Sequence, residues 1–144
     1  MLKFKSRKDL LFKVIAFGFP TLFIGILIIK VSVYGFPETS FYISGIFIAL
    51  TSVLLLWIYF QTYYQLSPSK LIYKSGPLKG EIEIKSIREI EKEKTLWSGL
   101  KPATARKGLI IKYNRFDEIY ISPLDNNIFI EKILELNPNI KIVD

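Results

Sequence analysis

Two apolar stretches decide how this chain folds: VIAFGFPTLFIGILIIKVSV at residues 14–33 and FYISGIFIALTSVLLLWIYF at residues 41–60. Each matches the ~20 residues that an α-helix needs to cross a hydrocarbon core of ~30 Å. The second stretch carries no charge, and the first carries only Lys30, which is close enough to its end to reach the lipid headgroups. We therefore predict two transmembrane helices.

Two other interpretations of these stretches remain. They could form a pair of helices buried in a soluble core, although a chain of 144 residues rarely buries two helices that are apolar on every face. The first could also be a cleaved signal peptide, although it is longer than the usual apolar region and no small-residue cleavage site follows it. Both alternatives fit the sequence less well than a membrane hairpin.

Charge on the flanks predicts the orientation of this hairpin. Residues 1–13 carry five basic and one acidic side chain, a net charge of +4, while the connection YGFPETS at residues 34–40 has no Lys or Arg. Such a short connection makes the helices antiparallel, so both outer ends lie on one side. The positive-inside rule then predicts a multi-pass protein of the cell membrane, with a basic tail at residues 1–13 and the C-terminal part in the cytoplasm. We expect the tail only to fix this topology and to touch anionic headgroups.

The composition excludes several function classes. The chain has no cysteine and no histidine, which removes disulfides, thiol nucleophiles, the usual zinc ligand sets and the commonest general base near neutral pH. Residues 61–144 carry 14 basic and 11 acidic side chains, too even a balance for a nucleic-acid-binding face. We therefore expect no enzymatic activity, no metal or cofactor and no nucleic-acid partner.

After the second apolar stretch the pattern changes to short runs rich in Ile, Tyr and Thr, separated by turn residues. These runs predict strands at residues 62–66, 70–74, 80–85, 87–94, 107–113 and 118–121. No parallel-sheet pattern appears, so we expect an antiparallel sheet. Glu81 and Glu83 alternate with inward-facing isoleucines, which places these paired carboxylates in water rather than in an acid–base site.

A helix is predicted to follow the last strand. Ser122 fits the N-cap, Pro123 the first helical position and Asp125 the acidic partner of a capping box. Its apolar stripe comprises Leu124, Ile128, Phe129, Ile133 and Leu136. The helix should end at Asn137, and the tail at residues 139–144 should lie against the sheet. As an N-cap, Ser122 needs no further role as a nucleophile.

Residues 71–142 resemble the bacterial PH-like domain family, in particular its YyaB-like group. The resemblance is carried by LIYKSGPLKGEIEIKSIREIEK at residues 71–92, LWSGLKPATARKGLIIKY at residues 96–113, and EIYISPLDNNIFIEKILELNPNIKI at residues 118–142. It implies a membrane-anchored α+β protein whose hairpin, residues 14–60, precedes a PH-like antiparallel β-barrel or sandwich, residues 61–144, capped by the C-terminal helix. It implies no activity and supplies no catalytic residues, since the PH superfold hosts many functions.

The long loop at residues 95–106 and the first residue after it hold the candidate contact residues. Trp97 lies close in sequence to the cations Lys101, Arg106 and Lys107. An aromatic ring among cations suits the surface of a membrane that contains anionic lipid. Alternatively, Trp97 packs back on the domain and the charges only solvate a long loop.

These features favour a non-enzymatic, membrane-anchored PH-like module that mediates protein interaction or assembly at the cytoplasmic membrane face. Besides the lipid bilayer, its partner would be another protein or further copies of the chain. One alternative is that the loop senses an anionic lipid or a small ligand. Another, by analogy with small membrane proteins of this kind, is protection against membrane-active peptides.

Overall fold

The computed structural model describes residues 1–35, 39–96 and 98–144, without the side chain of Ser40. Its helices are α1 (Leu10–Tyr34), α2 (Thr39–Phe60) and α3 (Asn126–Leu136). Its strands are β1 (Leu2–Lys5), β2 (Thr62–Leu66), β3 (Lys70–Ser75), β4 (Leu78–Glu83), β5 (Ile87–Lys94), β6 (Gly108–Tyr113), β7 (Asp117–Ile121) and β8 (Lys141–Val143). Of the connection predicted at residues 34–40, residues 36–38 lie outside the described residues.

Helix α1 begins four residues before the predicted start because Asp9 caps it. The Asp9 carboxylate accepts a hydrogen bond from the backbone N–H of Phe12 at 2.9 Å, which satisfies one of the free donors of the first turn. A π-helical turn, Val14–Gly18, interrupts the helix directly before the turn that contains Pro20. Because proline lacks an N–H and its ring crowds the preceding turn, this wider turn relieves a clash that regular α-helix would impose.

Both α1 and α2 are long and apolar enough to cross a membrane, and they stand largely outside the folded domain. Buried residues make up 6% of the most apolar window in α1 and 0% of that in α2. The two helices therefore do not form the core of the described domain, which removes the main reason to interpret them as buried core helices.

The first sheet has the antiparallel order β1-β2-β3-β4, and it includes a strand that the sequence did not predict. Leu2–Lys5 lies in the segment that we interpreted as a basic tail, yet it pairs with β2 from Leu2 opposite Leu66 to Lys5 opposite Tyr63. The ring of Phe4 packs edge-on against Phe129 of α3, with 5.1 Å between ring centroids. The tail is thus partly an edge strand, anchored through one aromatic side chain.

The second sheet has the order β7-β6-β5-β8, and its last strand corrects the expectation of a purely antiparallel fold. The C-terminal tail lies against the sheet as predicted, but β8 runs parallel to β5, with Ile142 opposite Ile90. The reason lies at the end of α3, where the Asn137 side-chain amide donates to the carbonyl of Ile84 at 3.0 Å. This contact fixes the start of the tail near the start of β5, so both strands run in the same direction.

Helix α3 begins later than predicted, since Asp125 and not Ser122 is its N-cap. The Asp125 carboxylate accepts hydrogen bonds from the backbone N–H of Asn127 at 2.8 Å and of Ile128 at 3.0 Å. Ser122 cannot cap the helix because its hydroxyl is buried and bonded elsewhere. The predicted end at Asn137 agrees with the last helical residue, Leu136.

The buried face of α3 also differs from the predicted stripe. Phe129, Ile130 and Ile133 are buried, whereas Leu124, Ile128 and Leu136 are 64%, 51% and 39% exposed. Since positions 128 to 130 are all large and apolar, the sequence pattern alone could not decide which of them faces inward.

The two sheets stay open and do not close into the barrel that the resemblance allowed. The bridge between Ser6 and Pro123 links the end of β1 to the segment after β7. The largest fully buried side chains of the hydrophobic core are Tyr64, Phe129, Leu66, Leu71, Ile84, Ile90, Leu109, Ile111, Ile119, Ile121 and Ile133.

The turn between β3 and β4 rests directly on the end of α2. Gly76 has a φ of +56°, and a Cβ atom added there would lie 2.8 Å from Cγ1 of Ile58. Only glycine combines this left-handed conformation with so close an approach. This contact and the direct passage from Phe60 into β2 hold the domain against the base of the hairpin.

Candidate functional site at the helix–domain junction

The chain enters and leaves its helical hairpin at one place, which we call the junction: residues 5–13 before and within the start of α1, and residues 57–63 at the end of α2. Because β1 and β2 pair with each other, the two helices start from neighbouring strands. The ring of Tyr59 stacks on Phe12 at 6.2 Å and meets Phe17 edge-on at 5.0 Å. The start of α1 therefore lies beside the end of α2.

A cluster of buried hydroxyl groups joins the junction to the domain. The Ser6 hydroxyl lies 2.8 Å from that of Thr104, 2.9 Å from that of Ser122 and 3.2 Å from that of Tyr64. The Tyr64 hydroxyl donates to the carbonyl of Pro102 at 2.6 Å and accepts from the backbone N–H of Ser122 at 3.0 Å. These bonds tie together β2, the end of β7, the long loop and the segment before α1.

This cluster is structural and does not provide a nucleophile. Ser122 is 0% exposed, so its hydroxyl cannot meet a substrate, and it accepts a hydrogen bond from the backbone N–H of Thr104 at 3.1 Å. Burial raises the pKa of Tyr64 despite its hydrogen bonds with Ser122 and Ser6. A buried network in which each hydroxyl has a partner rigidifies the fold instead of reacting.

The long loop lies beside the start of α1. A small cavity of about 110 Å³ separates the loop residues Lys101 and Ala103–Arg106 from Asp9, Leu11, Phe12 and Ile15. Of the four candidate contact residues, Trp97 lies outside the described residues. Lys101 and Arg106 line this cavity, and Lys107 lies just beyond it, beside Arg7 and Asp9.

Two of the candidate cations, Lys101 and Arg106, make contacts within the fold. The Arg106 guanidinium Nε lies 3.1 Å from Oδ2 of Asp9. The Lys101 ammonium donates to the carbonyl of Leu96 at 3.0 Å and lies 5.2 Å from the centre of the Tyr120 ring. Arg106 therefore has an internal counter-charge, a fact that the sequence could not reveal.

The junction also carries a groove of about 540 Å³ that the sequence analysis did not predict, which we call the basic groove. Its charged and aromatic lining residues are Lys3, Lys5, Arg7, Lys8, Lys13, Tyr59, Phe60 and Tyr63. The alternation of Lys3, Lys5 and Arg7 could have predicted this groove, because in a strand these side chains lie on one face.

The pKa of Asp9 lies below its ordinary value. Burial alone would raise this pKa, but hydrogen bonds from the backbone N–H groups of Phe12 and Arg106 and the Arg106 guanidinium lower it overall. A depressed carboxylate pKa stabilises the fold above the unfolded-state pKa of about 4, and this stabilisation is lost as the pH falls through the folded-state pKa.

We predict that Asp9→Ala lowers the free energy of unfolding at pH 7 by about 1–2 kcal/mol, because it removes a helix cap together with an ion pair. Asp9→Asn should lower it by less, since asparagine also caps helices. The difference between Asp9→Asn and wild type should shrink as the pH falls below about 4, because protonation removes the charge of Asp9. Thermal or denaturant unfolding of the full chain in detergent measures both effects.

The matched control is Asp144→Asn, which removes a carboxylate that is 92% exposed and lies 3.5 Å from the Lys92 ammonium. It should leave stability nearly unchanged, because so exposed an ion pair contributes little. Equal stability of Asp9→Ala and wild type at pH 7 would show that Asp9 does not hold the junction.

Comparison with known proteins places the β-rich region in a family. The family described as "Bacterial PH domain" matches residues 62–137, which is more than half of the chain and runs from the start of β2 to the end of α3. Strand β1 and both apolar helices lie before the matched region.

A similar curated protein supports the same assignment over a longer stretch. The chain is 32% identical over 111 residues to the uncharacterized protein YyaB of Bacillus subtilis (strain 168), and the alignment covers 76% of each protein. No solved structure matches the chain. The resemblance seen in the sequence is confirmed: this chain belongs to the bacterial PH domain family.

Proposed function

We propose that the chain is a two-pass membrane protein that holds its PH-like domain at the cytoplasmic face as a non-catalytic interaction module. The observation that carries this proposal is the junction. Strands β1 and β2 pair with each other and lead directly into α1 and out of α2. A domain attached through two paired strands keeps one orientation relative to the hairpin, whereas a domain on a flexible linker would rotate freely.

The composition of the junction supports its place at a membrane surface. Trp57 and Tyr59 lie in the last turn of α2, where aromatic side chains favour the interface between hydrocarbon and water. The cations of residues 3–13 lie close to this end of α2, in keeping with a cytoplasmic interface. Away from the domain, the apolar surfaces of α1 and α2 are largely exposed, and a bilayer would cover them.

The outward face of α3 supports a protein partner. Leu124, directly before the helix, and Ile128 and Leu136 within it are exposed apolar side chains, which we call the apolar row. They are spread over the exposed side of the helix, since the eight residues from Ile128 to Leu136 turn it by about 80° beyond two full turns. A binding partner would remove these side chains from water. Leu124 lies at the junction, where its backbone N–H donates to the carbonyl of Lys5 at 2.9 Å.

Leu136 lies at the other end of the row, about 16 Å further along an eleven-residue helix. This end packs near Ile84, which follows β4 at the end of the strand remote from the Gly76 turn. A flat bilayer at the junction would touch only the Leu124 end of the row. We therefore favour a protein with a complementary apolar surface as the occupant.

Recognition of anionic lipid is the second candidate, and the position of the long loop favours it. Lys101 borders the same cavity as Leu11 and Ile15 of α1, so this residue lies beside the start of the apolar helix. Cations near an anionic membrane surface contribute about 1 kcal/mol each to membrane binding.

Labelling of single cysteines tests the proposed topology. The chain has no cysteine, so single cysteines introduced as Tyr34→Cys and Phe116→Cys can be labelled without background. In right-side-out membrane vesicles, a membrane-impermeant maleimide should label Tyr34→Cys and not Phe116→Cys, and inverted vesicles should give the reverse. Labelling of both positions from the same side, or recovery of the protein in the soluble fraction, would overturn the membrane hairpin.

Photo-crosslinking from α3 tests for the proposed protein partner. A photo-crosslinking amino acid at Ile128 or at Leu136 of the full-length protein in native membranes should give the same discrete protein adduct. The matched control position is Glu81, which is exposed on the outer face of β4, away from α3, and should give no such adduct. The variant Ile128→Asp should lose the adduct formed from position 136.

Adducts that are equal at position 81 and position 128 would show that α3 presents no specific binding face. A crosslink to a second copy of this chain, identified by mass, would make the occupant a homo-oligomer rather than another protein.

A further inference from the structure

The basic groove collects positive charge without a matching negative charge. Five basic side chains line it, and no carboxylate is among its lining residues in the part of the chain that the structure describes. Elsewhere on the domain the structure pairs cations with acids, for example Lys70 with Glu81 at 2.5 Å and Lys132 with Glu135 at 2.6 Å. The described residues show no such ion pair for any of the five groove cations.

Some of the groove cations are held by aromatic rings and by backbone carbonyls instead. The Lys3 ammonium lies 4.1 Å from the centre of the Tyr63 ring, and the Lys8 ammonium lies 4.1 Å from that of Tyr59. Arg7 donates to the carbonyl of Arg106 at 2.7 Å. These contacts orient the cations but leave their charge uncompensated.

The resulting repulsion is visible at Lys8. Burial lowers the pKa of Lys8, and the neighbouring ammonium groups of Lys5 and Lys13 lower it further. An anion placed between these three groups would relieve the repulsion and raise the pKa of Lys8.

The place of the groove restricts what this anion can be. Tyr59 and Phe60 form the last residues of α2, and Lys13 lies in the first turns of α1. In the proposed membrane orientation, the groove therefore opens at the level of the headgroups, just below the hydrocarbon. Its wall includes the exposed apolar side chain of Leu124 besides the aromatic rings.

From this arrangement we infer that the basic groove binds the phosphate group of an anionic phospholipid, with Lys5, Lys8 and Lys13 as the principal contacts. The inference rests on the proposed function, since it needs the hairpin in a membrane. A volume of about 540 Å³ lies within the usual range for small-ligand sites. The aromatic and apolar wall suits a lipid, whose acyl chains continue along α2, better than a fully hydrated phosphate ion.

The test uses full-length protein in detergent micelles and native mass spectrometry of bound lipid. Wild type should bind phosphatidylglycerol in preference to phosphatidylcholine. The double variant Lys5→Gln/Lys13→Gln changes two cations with no ion-pair or ring contact in the described structure, and it should weaken phosphatidylglycerol binding by about tenfold or more.

The matched control is Lys85→Gln/Arg88→Gln, which removes the same charge from the end of the domain remote from the hairpin and should bind as wild type does. Far-ultraviolet circular dichroism and thermal unfolding establish that both double variants fold. If the Lys5→Gln/Lys13→Gln protein is destabilised, the single variant Lys13→Gln gives the same test, with a smaller expected loss.

Equal lipid binding by the groove variant and the control variant would overturn the inference. So would displacement of phosphatidylglycerol by inorganic phosphate at equal headgroup concentration, because the groove would then be a site for soluble phosphate. Vesicle labelling of Phe116→Cys in the otherwise wild-type protein separates the two failures. The predicted labelling side together with equal lipid binding by the groove and control variants overturns the groove inference alone, whereas the opposite labelling side overturns the membrane hairpin on which it rests.

Discussion

The pairing of β1 with β2 is the contact on which the arrangement of this protein depends. These strands flank the helical hairpin in the sequence, and by pairing they bring its two ends to the edge of one sheet. The Ser6 hydroxyl extends this link into the core, where it meets Tyr64, Thr104 and Ser122. Without β1, α1 would join the domain only through the hairpin, and the basic groove would lose the strand that carries Lys3 and Lys5.

Local patterns were sufficient for most of the fold. The apolar stretches predicted both long helices, and period-two alternation with turn residues located β2 to β7 to within about two residues. Contacts between residues far apart in sequence account for the errors. Strand β1 is four residues long and pairs with residues about 60 positions away, while its lysines resembled a topology signal. Ser122 has the local pattern of an N-cap, but Ser6 and Thr104 bind its hydroxyl, so Asp125 takes that role.

At the candidate site too, the sequence indicates which charged residues are present but not which of them meet in the fold. The sequence singled out the cations of the long loop, and the structure puts Lys101 and Arg106 beside the start of α1. It could not show that Asp9, 97 residues before Arg106, neutralises that guanidinium. Nor could it show that the cations of residues 3–13 line one groove. An outside anion gains most from cations that have no carboxylate partner inside the protein. The basic groove therefore offers a stronger anion site than the long loop, where Asp9 already pairs with Arg106.

The central claim is that the first strand belongs to the folded domain and fixes the hairpin to it. Hydrogen–deuterium exchange of the full-length protein in lipid nanodiscs tests this most directly, because amide protection reports hydrogen bonding residue by residue. The structure predicts that the amides of Leu2–Lys5 that face β2 exchange as slowly as their partners in Thr62–Leu66. Exchange of Leu2–Lys5 at the rate of an unstructured chain, with Thr62–Leu66 still protected, would contradict the claim and leave the domain on a flexible tether.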